Sequence, residues 1–327
     1  MDEVKKRQLT EAEQLRLAKF QEKHKNRRGR RNPAKIPARL ARTSAFAPKR
    51  KQLITDSDFE RIYVVPGHSV IRVSGRELGT QHRDAIYAVF RLKRTIERVK
   101  REEITSRHHA IPYVSIYETR TSWRKLLQAI GRTEHANNLM TLLQTFEEIK
   151  KVVFTVFEGN QEEILKAHAQ GKLDRLPEFA ARGGMGSLFD SVTWEGLELD
   201  SEVLIRYGDW SANMIQTAKL VSLNADVQFA LRSDHAKTFW PYIDSMNGHT
   251  YVDEKVLAGL AGRDLWSDRE DKTTRGQFRK DCKQAFDDMK RVGGIKEYRV
   301  EIIGESRRKS RRYHYVVPSP AQTELDV

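Results

Sequence analysis

Residues 251–317 constrain the fold more than any other part of the chain. A short helical pattern from Asp253 to Ala261 stops at Gly262, and a longer one from about Thr273 to Val292 stops at Gly293-Gly294. Two β-rich runs follow, Ile295–Ile303 and Tyr313–Val317, flanking Arg307-Arg-Lys-Ser-Arg-Arg312, where five of six residues are cations. A turn so charged cannot turn inward, because burying unpaired charge is costly. Short helix, longer helix and basic hairpin, in that order, predict a winged helix-turn-helix with a cationic wing.

On the longer helix Phe278, Cys282, Ala285, Phe286, Met289 and Val292 fall within an arc of roughly 120° at 100° per residue and form the expected buried stripe. The remaining face offers Thr273, Thr274, Arg275, Gln277, Arg279, Lys280, Lys283 and Gln284. Gln and Arg can pair with base edges and Lys reaches phosphates, so these eight are candidate DNA contacts. Alone, such a helix reads as an ordinary solvated face. The wing beside it, with Arg307, Arg308, Lys309, Arg311 and Arg312, turns the reading toward DNA.

Charge is distributed unevenly along the 327 residues. The net charge is +14, yet residues 1–51 hold 17 Lys+Arg against 5 Asp+Glu, a net of +12 that leaves +2 for the rest. The densest part is Lys23-His-Lys-Asn-Arg-Arg-Gly-Arg-Arg31, with Pro33, Pro37 and Pro48 close by, so residues 1–51 read as a flexible, disordered basic arm. Arg27, Arg28, Arg30 and Arg31 suit a phosphate backbone through counterion release. The arm has too few large apolar residues to anchor in a membrane, so nucleic acid is the expected partner.

Composition also excludes function classes. Cys282 is the only cysteine, which rules out internal disulfides and a thiolate metal cluster. No segment approaches 18 consecutive apolar residues and the amino terminus lacks a signal-peptide core, so a cytoplasmic protein is expected. GxxxxGK[ST] does not occur, which disfavours P-loop nucleotide hydrolysis. None of the ten histidines forms a His-x-His pair, as a metal-dependent nickase would need. His108-His109 reads as a solvated pair, and Asp287-Asp288 and Glu147-Glu148 read as exposed helix charges. No enzyme, cofactor or metal is expected.

The same order of elements occurs earlier in the chain. Strands are expected at Arg61–Val65 and Ser69–Val73, joined at Pro66-Gly67, then a helix of about 80–101 and a strand at Tyr113–Tyr117. Helices of about 122–130 and 134–150 follow, then a strand at Lys151–Phe157. Lys125-Leu-Leu-Gln-Ala-Ile-Gly-Arg132 matches Lys255-Val-Leu-Ala-Gly-Leu-Ala-Gly-Arg263 with one residue inserted. The expected fold is therefore α+β, with two tandem winged helix-turn-helix domains at 52–215 and 216–318 and a tail at 319–327. The hairpin of the first is interrupted, and Arg182-Gly-Gly-Met-Gly186 reads as part of a flexible loop. Asn137, Asn138, Thr141, Gln144 and Thr145 lie off the apolar stripe of the first longer helix and could read bases or form a protein interface.

Several segments carry a likeness to a family. Ala41-Arg-Thr-Ser-Ala-Phe-Ala-Pro-Lys-Arg-Lys51, Val70-Ile-Arg-Val-Ser-Gly-Arg-Glu-Leu78, Tyr113-Val-Ser-Ile-Tyr-Glu118, Gly131-Arg132 and the run from Leu139 to Glu158 resemble TrfA-type plasmid replication initiators. Leu231-Arg-Ser-Asp-His-Ala-Lys-Thr-Phe-Trp240 is similar to the first helix of their carboxyl-terminal winged helix. The likeness spans about residues 36–317. It implies a protein that binds direct repeats (iterons) in a plasmid origin, promotes opening of the duplex and recruits the host initiator, helicase and replisome. It also implies a homodimer through the first winged helix. The Gly-rich insertion around 159–200 departs from the pattern, and Pro241 predicts a kink in the helix beginning at Ser233. Gln14-Leu-Arg-Leu-Ala-Lys-Phe20, behind a Thr10/Glu13 capping box, resembles the short peptide that docks on the sliding clamp, with a longer spacing to Phe20. It also reads as a capped turn without a partner. The alternative function is a winged-helix transcriptional repressor, which needs the same DNA chemistry without origin opening.

Overall fold

The computed structural model describes residues 33–65, 69–100, 113–170, 180–217, 220–246, 248–263, 272–304 and 309–318. β1 (Ala34–Pro37), α1 (Ala38–Ala41) and β2 (Phe46–Ala47) lead into β3 (Glu60–Val65), β4 (Ser69–Ser74) and β5 (Leu78–Gly79). α2 (Thr80–Arg91) is followed by β6 (Thr95–Lys100), β7 (Tyr113–Ser122), α3 (Trp123–Ile130) and α4 (Ala136–Lys150). β8 (Val153–Gly159), α5 (Gln161–Ala169) and β9 (Ala180–Gly186) precede β10 (Phe189–Trp194) and β11 (Glu202–Tyr207). The chain continues through α6 (Asp209–Thr217), β12 (Leu220–Leu223), α7 (Ala225–Ala230), α8 (Asp234–Ser245), β13 (Tyr251–Asp253) and α9 (Glu254–Leu260). α10 (Lys272–Arg291), β14 (Glu297–Ile303) and β15 (Ser310–Val316) end it. The fold is mixed α and β.

One strand pairing occurs twice. In the second half β13 pairs antiparallel with β15, and β15 with β14. In the first half β7 pairs antiparallel with β11, and β11 with β10, with β6 added on the far side of β7. Each time, the strand before a pair of helices lies beside the second strand of a later hairpin. The helix pairs are α3–α4 and α9–α10, and the turn within each holds a left-handed glycine, Gly131 at φ 75° and Gly262 at φ 67°. A side chain at either position would be strained, which explains why both short helices stop where they do.

Four expectations are corrected. The helix expected to reach residue 101 ends at Arg91, and the alternating Thr95-Ile-Glu-Arg-Val-Lys100 forms the edge strand β6. The strand near 151–157 is not part of the first hairpin: β8 joins β4 and β9 in the separate sheet β3-β4-β8-β9. The Gly-rich run read as a flexible loop is strand β9, in register with β8 from Gly183↔Phe157 to Gly186↔Phe154. Its small residues admit Trp210, whose Cβ would sit 2.9 Å from a Cβ built on Gly186. Residues 33–51, expected within the basic arm, are folded, and residues 1–32 lie outside the described residues. β1 pairs with β12 along Ala34↔Leu223 to Pro37↔Leu220, and Ala34, Ile36, Leu40, Ala45 and Phe46 are buried in the main core. Proline spacing and charge suggested an arm, and the partner strand lies nearly two hundred residues away. The Pro66-Gly67 turn, His108-His109, the Thr10–Phe20 segment and the 319–327 tail lie outside the described residues.

The main apolar core among the described residues runs through both halves, and a smaller cluster of Val70, Phe157, Ile164 and Ala167 lies apart from it. Polar groups join them as well. Arg83 on α2 is fully buried and donates through Nη1 to the carbonyls of Lys237 (3.1 Å) and Thr238 (2.9 Å), and its guanidinium lies 4.8 Å from the Phe46 ring centroid. The Lys237 carbonyl is the acceptor that Pro241, lacking an N–H, leaves open inside α8; Gln228 Nε2 donates to it as well, at 3.3 Å. Helix α8 continues through the proline from Asp234 to Ser245. Removing residues 1–32 is therefore expected to leave the thermal midpoint unchanged, whereas removing 1–41 strips β1 and α1 from β12 and the core. Calorimetry of the two truncations checks this, and a lowered midpoint for the shorter one would contradict it.

Candidate nucleic-acid interface

The 3.6-residue spacing of its apolar residues seats α10 on the core. Phe278, Cys282, Ala285, Phe286 and Met289 are fully buried, and Phe286 stacks on Tyr313 of β15 with centroids 4.9 Å apart. Burial raises the Cys282 thiol far above its ordinary range, so no thiolate forms near neutral pH. The outward face exposes Thr274, Gln277, Lys280, Lys283 and Gln284. Gln277 Nε2 donates to Asp281 Oδ1 at 2.9 Å, while Lys280, Lys283 and Gln284 make no side-chain hydrogen bond or ion pair among the described residues. Arg275 is half-buried.

Glu254, the first residue of α9, fixes this helix to the hairpin. Its carboxylate is 0% exposed and accepts from Arg279 Nε (2.6 Å), Arg279 Nη2 (3.0 Å) and the Arg311 backbone N–H (3.0 Å). Arg279 Nη2 also donates to the Lys309 carbonyl at 3.0 Å. The hydrogen bonds to Glu254 hold the Arg279 guanidinium firmly protonated. Arg312 is held likewise, with Nε and Nη2 at 2.7 and 3.1 Å from the two Asp253 oxygens and its guanidinium 4.1 Å from the Tyr251 centroid. Arg279 and Arg312, expected to contact DNA, are thus held through Nε and Nη2 by Glu254 and Asp253.

Two cations at the β14–β15 turn stay available. Lys309 is exposed and Arg311 half-buried, and neither side chain enters an ion pair among the described residues. Arg307, Arg308, Arg27, Arg28, Arg30, Arg31 and the Thr273 side chain lie outside what the structure describes. The β14–β15 hairpin is in register from Glu297↔Val316 to Ile303↔Ser310. His314 Nε2 and Glu301 Oε2, 2.7 Å apart, link its strands.

The first half offers a different surface. On α4, Asn138 Nδ2 donates to the Thr133 carbonyl (3.0 Å) and hydroxyl (2.8 Å), so it braces the turn. Thr141 Oγ1 donates to the Asn137 carbonyl (2.8 Å) and Thr145 Oγ1 to the Thr141 carbonyl (2.7 Å). Gln144 bonds to Glu148, and the Asn137 side chain, exposed like Met140, makes no hydrogen bond among the described residues. The turn of the β10–β11 hairpin, residues 195–201, holds Glu195, Glu198 and Asp200 and no Lys or Arg, and Glu202 opens β11 beside it. Arg124 clasps Asp200 at 2.7 and 2.8 Å, and also Glu134. A hairpin tip of this sign repels phosphate, the reverse of the β14–β15 turn.

Glu254 and Asp253 are the residues that sequence reasoning missed. An acid in the first turn of a helix reads as a helix-dipole partner, and nothing local reveals that an arginine 25 residues away and a strand 57 residues away converge on it. Among the described residues no three His, Cys, Asp or Glu side chains are grouped to hold a metal ion, and no helix is long and apolar enough to cross a membrane.

Neither a protein-family model nor a curated protein matches the sequence. Among solved structures, two of domains 2 and 3 of RctB are similar, at 11% identity and TM-score 0.49 and at 12% and 0.43. Each covers 86% of this chain and 98% of the other. A third is the Pi initiator protein in complex with iteron DNA, at 9% identity and TM-score 0.43, covering 74% of this chain and 92% of the other.

Proposed function

We propose that the chain is a non-enzymatic, sequence-specific DNA-binding replication initiator made of two winged-helix units. It acts on double-stranded origin repeats in a bacterial cytoplasm, needs no cofactor, and promotes opening of the adjacent duplex and recruitment of host replication proteins. The observation that carries DNA binding is the buried Glu254 carboxylate, which locks the exposed Lys280/Lys283/Gln284 face of α10 to the base of the cationic β14–β15 turn. A helix face and a wing fixed to each other can enter a major groove and grip the flanking backbone together. The initiator reading, as opposed to a repressor, rests on the TrfA-like segments at 41–51, 70–78, 113–118 and 231–240. In the first unit the charge-poor face of α4 and the acidic β10–β11 turn favour protein contact over a phosphate grip.

The DNA reading is tested by the salt dependence of binding. Changing Arg307, Arg308, Lys309 and Arg311 to Ala is expected to flatten the log–log salt slope by roughly 2 to 3, at about 0.9 for each phosphate that is no longer neutralised. Arg312→Ala is expected to leave the slope unchanged and lower stability slightly. Fluorescence-anisotropy titrations at several salt concentrations measure both, and a slope unmoved by the fourfold change would remove the wing from the interface.

A further inference from the structure

An open cleft of about 280 Å³ lies where the two halves meet, between α2, the α3–α4 turn and the segment from α7 into α8. Its lining includes Arg50, Arg132, Arg232 and Lys237 against one acid, Asp84. Lys237 and Asp84 are nearly buried and form an ion pair with each other. Arg50 donates to Asp234 Oδ1 at 2.8 Å and to the Arg232 carbonyl at 3.1 Å. The Arg132 and Arg232 side chains have no anionic partner among the described residues. One comes from the helix–helix turn of the first half, the other from the lead into α8 of the second.

Unpaired guanidiniums lining one concave surface repel each other and focus a positive potential into it. The local acids cannot relieve this, because Asp84, Asp234 and Asp288 already serve Lys237, Arg50 and Arg291. An anion from outside the chain would relieve this repulsion. A guanidinium is a planar fork of donors that matches phosphate oxygens, and two forks from different elements suit one tetrahedral anion. The volume lies at the small end of ligand sites, so it fits a phosphoryl group better than a large cofactor.

We propose that this cleft binds a phosphoryl group and thereby ties the first half to the second through Arg132 and Arg232. The group has two sources, a small free phosphate or a phosphate of the DNA backbone, and only the second rests on the DNA-binding reading. Either way, occupancy would set the relative placement of α4 and α10, the two helices that follow the left-handed glycines.

The test uses the full chain, its Arg132→Gln and Arg232→Gln variants and the double variant. Both side chains lie outside the core's hydrogen-bond network, so all four proteins are expected to melt alike in chloride. Calorimetric titration with inorganic phosphate and with pyrophosphate at constant ionic strength, without DNA, reads the first source. Wild type is expected to bind one anion, and the double variant to bind it on the order of ten-fold or more weakly. If no free anion binds, a log–log salt slope on DNA reduced by about 1 to 2 in the double variant assigns the cleft to the backbone. No anion binding together with an unchanged slope overturns the proposal. The wing variants report separately on DNA binding, so that outcome would leave the function proposed above intact.

Discussion

Glu254→Ala is expected to destabilise the protein by about 3–5 kcal/mol, because it removes one partner of a buried ion pair and leaves the other without charge compensation. The carboxylate is 0% exposed and receives Arg279 through two nitrogens and the Arg311 backbone N–H. Its loss strands these donors where water reaches them poorly. Glu254→Gln keeps the shape and one acceptor, so the expected loss is smaller. Urea unfolding monitored by tryptophan fluorescence measures both. DNA affinity should fall for Glu254→Ala even well below its unfolding midpoint, since the wing base loses its tie to α10. A loss below about 1 kcal/mol, within the range of surface ion pairs, would show that the anchor is not structural.

The second large effect concerns base reading. Lys280→Ala and Gln277→Ala are each expected to cost about 1–3 kcal/mol on the cognate repeat, roughly five- to 150-fold in affinity, with little change on random DNA. Gln277 must first release Asp281, a bond between exposed side chains and therefore cheap to exchange. Arg279→Ala should behave differently. It acts through Glu254 and the Lys309 carbonyl, so it is expected to weaken cognate and random DNA alike. Binding measured on both DNAs separates a base contact from a positioning residue. Equal losses for Lys280→Ala on the two would move that lysine to the backbone.

Local patterns in this chain were readable and distant pairings were not. The apolar stripe of α10 and the glycine stops at Gly131 and Gly262 follow from helical spacing and backbone sterics, and all appear where expected. β1 depends on β12 across the length of the chain, and a proline-flanked basic stretch gives no hint of that partner. β8 looked like the start of a hairpin because the next strand in sequence is the usual neighbour. It pairs instead with β4 and β9, and the first hairpin is completed by β10 and β11. At the candidate interface, composition marked the cationic β14–β15 turn and the polar helix face. It could not separate Lys280 and Lys309, free of side-chain partners among the described residues, from Arg279 and Arg312, which are bound to Glu254 and Asp253. Residue type sets what a side chain can bind; the tertiary partner decides whether it is available.

Origin opening is the claim that distinguishes an initiator from a repressor. Several protomers on adjacent direct repeats would bend the DNA, and negative supercoiling would help a neighbouring AT-rich duplex to separate without nucleotide hydrolysis by this chain. Single-strand-specific permanganate reactivity on a supercoiled plasmid carrying the repeats, with this protein and the host's own initiator present, measures it most directly. Reactive thymines are predicted beside the repeats, lost on linear DNA and lost with Lys280→Ala. Repeats that are fully bound yet yield no reactive thymines, at a site that merely silences a promoter placed over it, would contradict the initiator account and establish a repressor.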